Sequence, residues 1–365
     1  MTPRSPSRRS LLRGAGAAAL TAGPIALAAP ATAAPSPAPR RPSRRGRARV
    51  VAAGVRDKMT WWDATSTAAP TVYQPNNVPL LAWRGNRNSR NITLANVIGP
   101  RLQFAGSSLQ KTILGAASDY APVFLPQLSP RRTARLAWTG LEQRRLVHVG
   151  DFALTDDLRL TGEMTEQTPM GSGQLNATSG PDLSWLQRHR VNVLDENGRV
   201  AFAQARDMTF DEALPLPFLG SPRGPVRNRG LNEPGALWAW TAADGALCFA
   251  LTRSPVPTTE SPTVARSAQS SICEPSRLLP YGSSLYIAWT GIDGAGRLNI
   301  APVDVEAVRA GNDPIGTVYT LPENSLAAPA VEVQIDVDSG RSRLVAFWTG
   351  TDGTGALNAC EVLLP

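Results

Sequence analysis

A short motif recurs along this chain at a spacing that only repeat architectures produce. Leu81-Ala82-Trp83-Arg84-Gly85 returns as Leu136-Ala137-Trp138-Thr139-Gly140, then as Trp238-Ala239-Trp240-Thr241-Ala242, Ile287-Ala288-Trp289-Thr290-Gly291 and Ala346-Phe347-Trp348-Thr349-Gly350. The repeated tryptophans lie 55, 102, 49 and 59 residues apart, and 102 is twice 51, so a further copy is expected near residue 190. It is Val191-Asn192-Val193-Leu194 followed by Asn197-Gly198, with Val193 in the tryptophan position. After the motif come turn residues and a second apolar run, with Asp244-Gly245, Asp293-Gly294 and Asp352-Gly353 as hairpin turns. A proline precedes each copy by 12–19 residues, at Pro70, Pro122, Pro181, Pro225, Pro275 and Pro329. Six units of about 50 residues, each with at least three short strands and no long amphipathic helix, predict an all-β, six-bladed β-propeller.

The last unit runs out of residues before a fourth strand, because the sequence stops at Pro365. The segment Val50–Trp62 carries the matching pattern at the other end. The N-terminal strand is therefore expected to complete the last blade, which would remove exposed sheet edges. The propeller is assigned to residues 50–365.

Charge divides the chain at the same point. Residues 1–49 hold ten arginines and no acid, whereas the remainder holds 27 basic and 29 acidic residues. The formal charge of +8 thus belongs to a tail, and the ring itself is near neutral. This argues against nucleic acid as a partner, since that needs a basic patch on the folded domain. Arg8-Arg9-Ser10-Leu11-Leu12, a weakly apolar stretch to Ala29 and Ala31-Thr32-Ala33 have the parts of a twin-arginine export signal over residues 1–33. Residues 34–49, rich in Pro and Arg, read as a disordered linker. A secreted or extracytoplasmic protein that engages the twin-arginine machinery through Arg8 and Arg9, with no mature membrane span and a monomeric ring, is the expectation.

The units resemble the Leu-Ala-Trp-Thr-Gly repeat of exported bacterial proteins with sialidase-like or fucose-lectin-like propellers. The clearest matches are Lys111–Gly115 with Ser118–Pro122 and Leu136–Gly140, and Ile287–Asp293 with Leu298-Asn299. The resemblance spans about residues 60–362 and implies carbohydrate or cell-wall polymer as the partner. The Ser-x-Asp-x-Gly-x-x-Trp box of sialidases is absent from the sequence.

The five repeated tryptophans read as core, because a residue at the same strand position in each unit fills the layer between sheets. Ligand candidates are the tryptophans outside that position, Trp61, Trp62, Trp185 and Trp238, with the loop arginines Arg188 and Arg227. A carbohydrate-binding, non-catalytic, lectin-like propeller is the leading expectation. A glycoside hydrolase with paired carboxylates, drawn from acids such as Asp119, Glu233 and Glu274, is the alternative. A protein-binding structural propeller is the third. Two histidines without Cys or His at ligand spacing give no zinc site, and no motif calls for a cofactor. Of the three cysteines, Cys273 could reach Cys248 in the previous unit.

Overall fold

The computed structural model describes residues 48–365 apart from 74–78, 86–88, 99–102, 105–110, 126–132, 144, 156–159, 170–175, 185–189, 205–213, 232–234, 255–260 and 336–339. The export signal and nearly all of the linker fall outside the described residues. What is described is almost entirely β-structure, arranged as six antiparallel sheets in a ring.

Blade 1 is built from Thr71–Tyr73, Leu80–Arg84, Asn91–Ile98 and Lys111–Ala117, and blade 2 from Val123–Leu125, Thr133–Thr139, Val147–Leu154 and Leu160–Pro169. Blade 3 shows three strands among the described residues, Asp182–Ser184, Arg190–Leu194 and Val200–Gln204. Blade 4 comprises Arg227–Gly230, Ala236–Thr241, Ala246–Thr252 and Val264–Ser270. Blade 5 comprises Leu279–Tyr281, Ser284–Thr290, Arg297–Val303 and Thr317–Asn324. Blade 6 takes only three strands from the C-terminal end, Ala330–Ile335, Ser342–Thr349 and Ala356–Leu363.

The fourth strand of blade 6 comes from the other end of the chain, as the sequence implied. Strand β2 (Gly54–Thr65) pairs antiparallel with Ala356–Leu363. One local contact shows how closely β2 replaces a native fourth strand. In blade 5 the Thr320 hydroxyl donates to Asn299 Oδ1 at 2.7 Å, and in blade 6 the Thr60 hydroxyl donates to Asn358 Oδ1 at 2.6 Å. The sequence segment expected to close the ring is nevertheless two strands. Strand β1 (Arg49–Ala52) turns aside at Ala53 and pairs parallel with Thr317–Asn324, as a fifth strand on blade 5. The N-terminal segment therefore holds two neighbouring blades at once.

The repeated Trp-Thr pair explains why these sheets form a ring. Adjacent residues of a strand point to opposite faces of the sheet. Each repeated tryptophan turns to the preceding blade, and all are at most 2% exposed. Trp138 packs among Leu80, Ile92 and Leu94 of blade 1, Trp240 with Phe202 of blade 3, and Trp289 with Leu237 and Phe249 of blade 4. Trp348 packs with Ala288 and Leu298 of blade 5, and Trp83 with Phe347 and Leu357 of blade 6. Val193 fills the same place against blade 2, beside Val123 and Val147. The threonine that follows looks the other way. Thr139 donates to the Ser179 carbonyl at 2.8 Å, Thr241 to Cys273 at 2.6 Å, Thr290 to Ala327 at 2.7 Å and Thr349 to Ala68 at 2.8 Å. Each acceptor lies just before the first strand of the next blade. One dipeptide thus fixes its blade to both neighbours, by apolar burial behind and a hydrogen bond ahead.

Candidate functional site

The innermost strand of each blade follows its proline within four residues, and Pro70, Pro122, Pro181, Pro225 and Pro329 collect around the ring axis. A proline there surrenders a backbone N–H that the free inner edge of a sheet could not pair, and its fixed φ starts the strand extended. In four of the blades a buried serine four residues earlier shapes the entry. The Oγ atoms of Ser66, Ser118, Ser271 and Ser325 accept from the N–H two residues on, at 3.1, 3.0, 3.4 and 3.2 Å. This turn points the short segment between serine and proline at the axis.

Those segments line the mouth of the axial channel, a depression of about 390 Å³ to which all six blades contribute. Its wall has two unlike arcs. Blades 6 and 1 present Leu326, Ala327, Ala68 and Ala69 with Thr67 beside them, and Leu326 is half exposed. Blades 2 to 5 carry the charged groups and most of the polar ones, Asp119, Tyr120, Thr178, Arg223 and Glu274, among apolar residues such as Ala121, Leu194 and Pro222. Blade 3 passes the axis at Gly180, where a Cβ atom would lie 2.8 Å from the Ala121 carbonyl oxygen. The polar arc is held from outside by arginines. The Arg145 guanidinium donates to the Tyr120 hydroxyl at 2.7 Å, and Arg90 and Arg84 stand 3.2 and 3.7 Å from Asp119. Arg84 occupies the position that threonine holds in blades 2, 4, 5 and 6; its Nη1 donates to Thr67 Oγ1 at 2.6 Å in the segment that opens its own blade, and its Nη2 faces Asp119 of the next. Burial draws the Arg84 pKa below the usual arginine value, against the pull of Asp119.

Below the prolines the channel narrows to a cavity of about 50 Å³, again lined from all six blades. Here the inner strands carry charge. Arg227 Nη1 donates to Asp182 Oδ1 at 2.5 Å and its Nε to the Pro275 carbonyl at 2.9 Å. Arg277 Nε stands 3.5 Å from the same Asp182 oxygen. Glu332 lines the cavity opposite and interacts with Arg277 and Arg229. Burial raises the Glu332 pKa despite those two cations, and burial also lowers those of Arg277 and Arg229.

The sequence candidates do not share one site. Trp61 is buried on β2 and stacks on Phe347 at 6.5 Å, whereas its neighbour Trp62 is 67% exposed on the outer rim of blade 6. Trp238 is fully buried in blade 4, its indole N–H donating to Thr252. Arg227 lies on the axis. Trp185, Arg188 and Glu233 lie outside the described residues. Asp119 and Glu274 both line the mouth. Arg223, a loop arginine of the same kind as Arg188 and Arg227, lines the mouth, whereas Tyr120, Asp182, Arg277 and Glu332 carry no mark of a site in the sequence beyond their place in the repeat. A signal was available: Pro225-Val226-Arg227 and Pro275-Ser276-Arg277 place an arginine at the same step after the blade proline, and Asp182 directly follows Pro181. Cys248, Cys273 and Cys360 are all free thiols.

No family model and no curated protein matches the chain. Solved structures match in fold. A sialidase of Trypanosoma rangeli, in complex with the inhibitor DANA, is similar with a TM-score of 0.51 and 9% identity, over 82% of this chain and 55% of that one. AofleA from Arthrobotrys oligospora is similar with a TM-score of 0.46 and 10% identity, over 81% and 83% of the two chains. A Thermus thermophilus protein named as an oxidoreductase of the glucose dehydrogenase type gives 0.48 and 14%, over 85% and 100%. This chain spans about half the length of the sialidase. At such identities the likeness is one of fold alone, a β-propeller.

Proposed function

We propose that this chain is an exported, non-catalytic propeller that binds carbohydrate or cell-wall polymer at the axial mouth. The observation that carries the reading is the two-sided wall. A sugar ring offers a hydroxyl edge and an apolar C–H face, and a pocket with a polar arc and an apolar arc fits both at once. About 390 Å³ accommodates one or two sugar rings. Asp119 and Glu274 accept from hydroxyls, Arg223 donates, and Tyr120 offers a ring edge already fixed by Arg145. Wall groups fixed before binding lose little entropy on binding. The test is a glycan and peptidoglycan-fragment array probed with the secreted protein, alongside Tyr120→Ala and Arg223→Ala. Binding to a defined saccharide that both substitutions abolish supports the reading. Uniform absence of binding on the wild-type array rejects it.

The hydrolase alternative draws on one observation, the Glu332 carboxyl, which lines the axial cavity and which burial raises as it would a general acid. A cavity of about 50 Å³ leaves no room for a sugar ring beside it. Hydrolysis of a chromogenic glycoside that Glu332→Gln eliminates would reverse this ranking.

A further inference from the structure

The two carboxylates that line the axial mouth are in unlike conditions. Asp119 is met from outside the mouth by Arg90 at 3.2 Å and Arg84 at 3.7 Å. Glu274 is half-buried, and among the described residues its carboxylate has neither an ion-pair partner nor a hydrogen-bond donor. It lies against Gly224 of blade 4, where a Cβ atom would stand 3.3 Å from its Oε2. Arg223, the neighbour of that glycine, is the one cation among the described residues lining the mouth. It turns toward the hairpin of its own blade instead. Its Nε donates to the Ala243 carbonyl at 2.8 Å, and its Nη1 lies 3.8 Å from the Cβ position of Gly245. Thr178 brings no donor either, since its hydroxyl donates to the Asp195 carbonyl at 2.9 Å and leaves its oxygen as an acceptor.

A ligand that covers the mouth strips water from Glu274. A neutral hydroxyl replaces the lost hydrogen bond but leaves the charge uncompensated. An ammonium group replaces both, and a charge-assisted bond is roughly twice as strong as a neutral one. We infer that the saccharide class of this mouth is a cationic amino sugar, its free amine seated on Glu274. The inference rests on the carbohydrate reading of the mouth. Glu274 belongs to blade 5, and the apolar arc begins at Leu326 and Ala327 of blade 6, so a sugar held by its amine has an apolar wall in the next blade for its C–H face. An N-acetyl group in the same place carries no charge and forfeits the ion pair.

Isothermal titration with the glucosamine disaccharide and with its di-N-acetyl form, at mildly acidic pH, is the test. The amine form should bind about tenfold tighter, and Glu274→Gln should erase the difference. As the pH rises and the amine loses its proton, the wild-type affinity for the amine form should fall to that of the acetylated form, whether or not the variant folds. Binding of the amine form that is absent or no tighter, a preference that survives Glu274→Gln, or one that ignores deprotonation overturns the inference. With a saccharide still captured on the glycan array, each of these outcomes leaves the mouth a sugar site of another class. Absence of binding to every saccharide removes both.

Discussion

The Thr349 hydroxyl donates a 2.8 Å hydrogen bond to the Ala68 carbonyl, and so joins residues 281 apart in sequence. This contact is the same one that Thr139, Thr241 and Thr290 make between consecutive blades, and here it closes the circle. Thr349→Val keeps the shape, removes the donor and leaves a carbonyl short of a partner. It should cost about 1–3 kcal/mol. Chemical denaturation checks this, with Thr351→Val on the exposed neighbouring turn as a control expected to change stability little. Equal effects of the two substitutions would show that the stitch does not hold the ring.

Trp61 and Trp62 are adjacent and should respond in opposite ways. Trp61 lies in the seam with Phe347, and Trp61→Ala should cost about 3–5 kcal/mol. Trp62→Ala at an exposed position should change stability by less than about 0.5 kcal/mol. Thermal unfolding of the pair is the measurement. A large loss at Trp62 would mean that the outer face of β2 is covered by something else.

Asp195 gives the fold a defined acid limit. Burial alone would raise its pKa, but the N–H groups of Arg199 and Asn197 and the Arg199 guanidinium outweigh that and hold it below the usual aspartate value. A carboxyl depressed in the folded state stabilises above its unfolded value of about 3.9, and the contribution is lost as pH falls through the folded value. Asp195→Asn should therefore lower stability at pH 7 by about 1 kcal/mol and flatten its decline below about pH 4. Urea midpoints measured from pH 7 to pH 3 would show this. Parallel wild-type and variant profiles would refute it.

All three cysteines should be silent toward thiol reagents in the native protein. Burial pushes the thiol pKa up to about 11 at Cys248 and about 12 at Cys273 and Cys360, so almost no thiolate exists at pH 8. Titration with a disulfide reagent should find no fast-reacting thiol before denaturation and three after it. One thiol after denaturation would instead mean that two cysteines are bridged.

The ring was readable in the sequence because each blade repeats one solution to the same packing problem. The tryptophan, the turn and the proline recur, and the missing fourth strand of the last unit pointed to residues 50–62. The aside of β1 onto blade 5 was not readable, since four residues of extended chain carry no mark of which edge they join. The axial groups escaped for a different reason. Asp182, Arg227, Arg277 and Glu332 are one residue from each of four blades, up to 150 positions apart, and become neighbours only when the ring closes. Their position relative to the blade proline was the usable clue. Asp119 and Arg223 stand out as loop charges, but Tyr120 gains meaning only because the segments before the prolines share a rim.

The pairing of β2 with the final strand has a consequence for biosynthesis. Thr60 reaches its partner Asn358 across 298 residues, so β2 leaves the ribosome long before the strand it pairs with. Blades 1 to 5 can collapse in turn during translation, while β2 waits as an unpaired edge. The docking step joins strands some 300 residues apart, and β2 can take its place only after Ala356–Leu363 has been made.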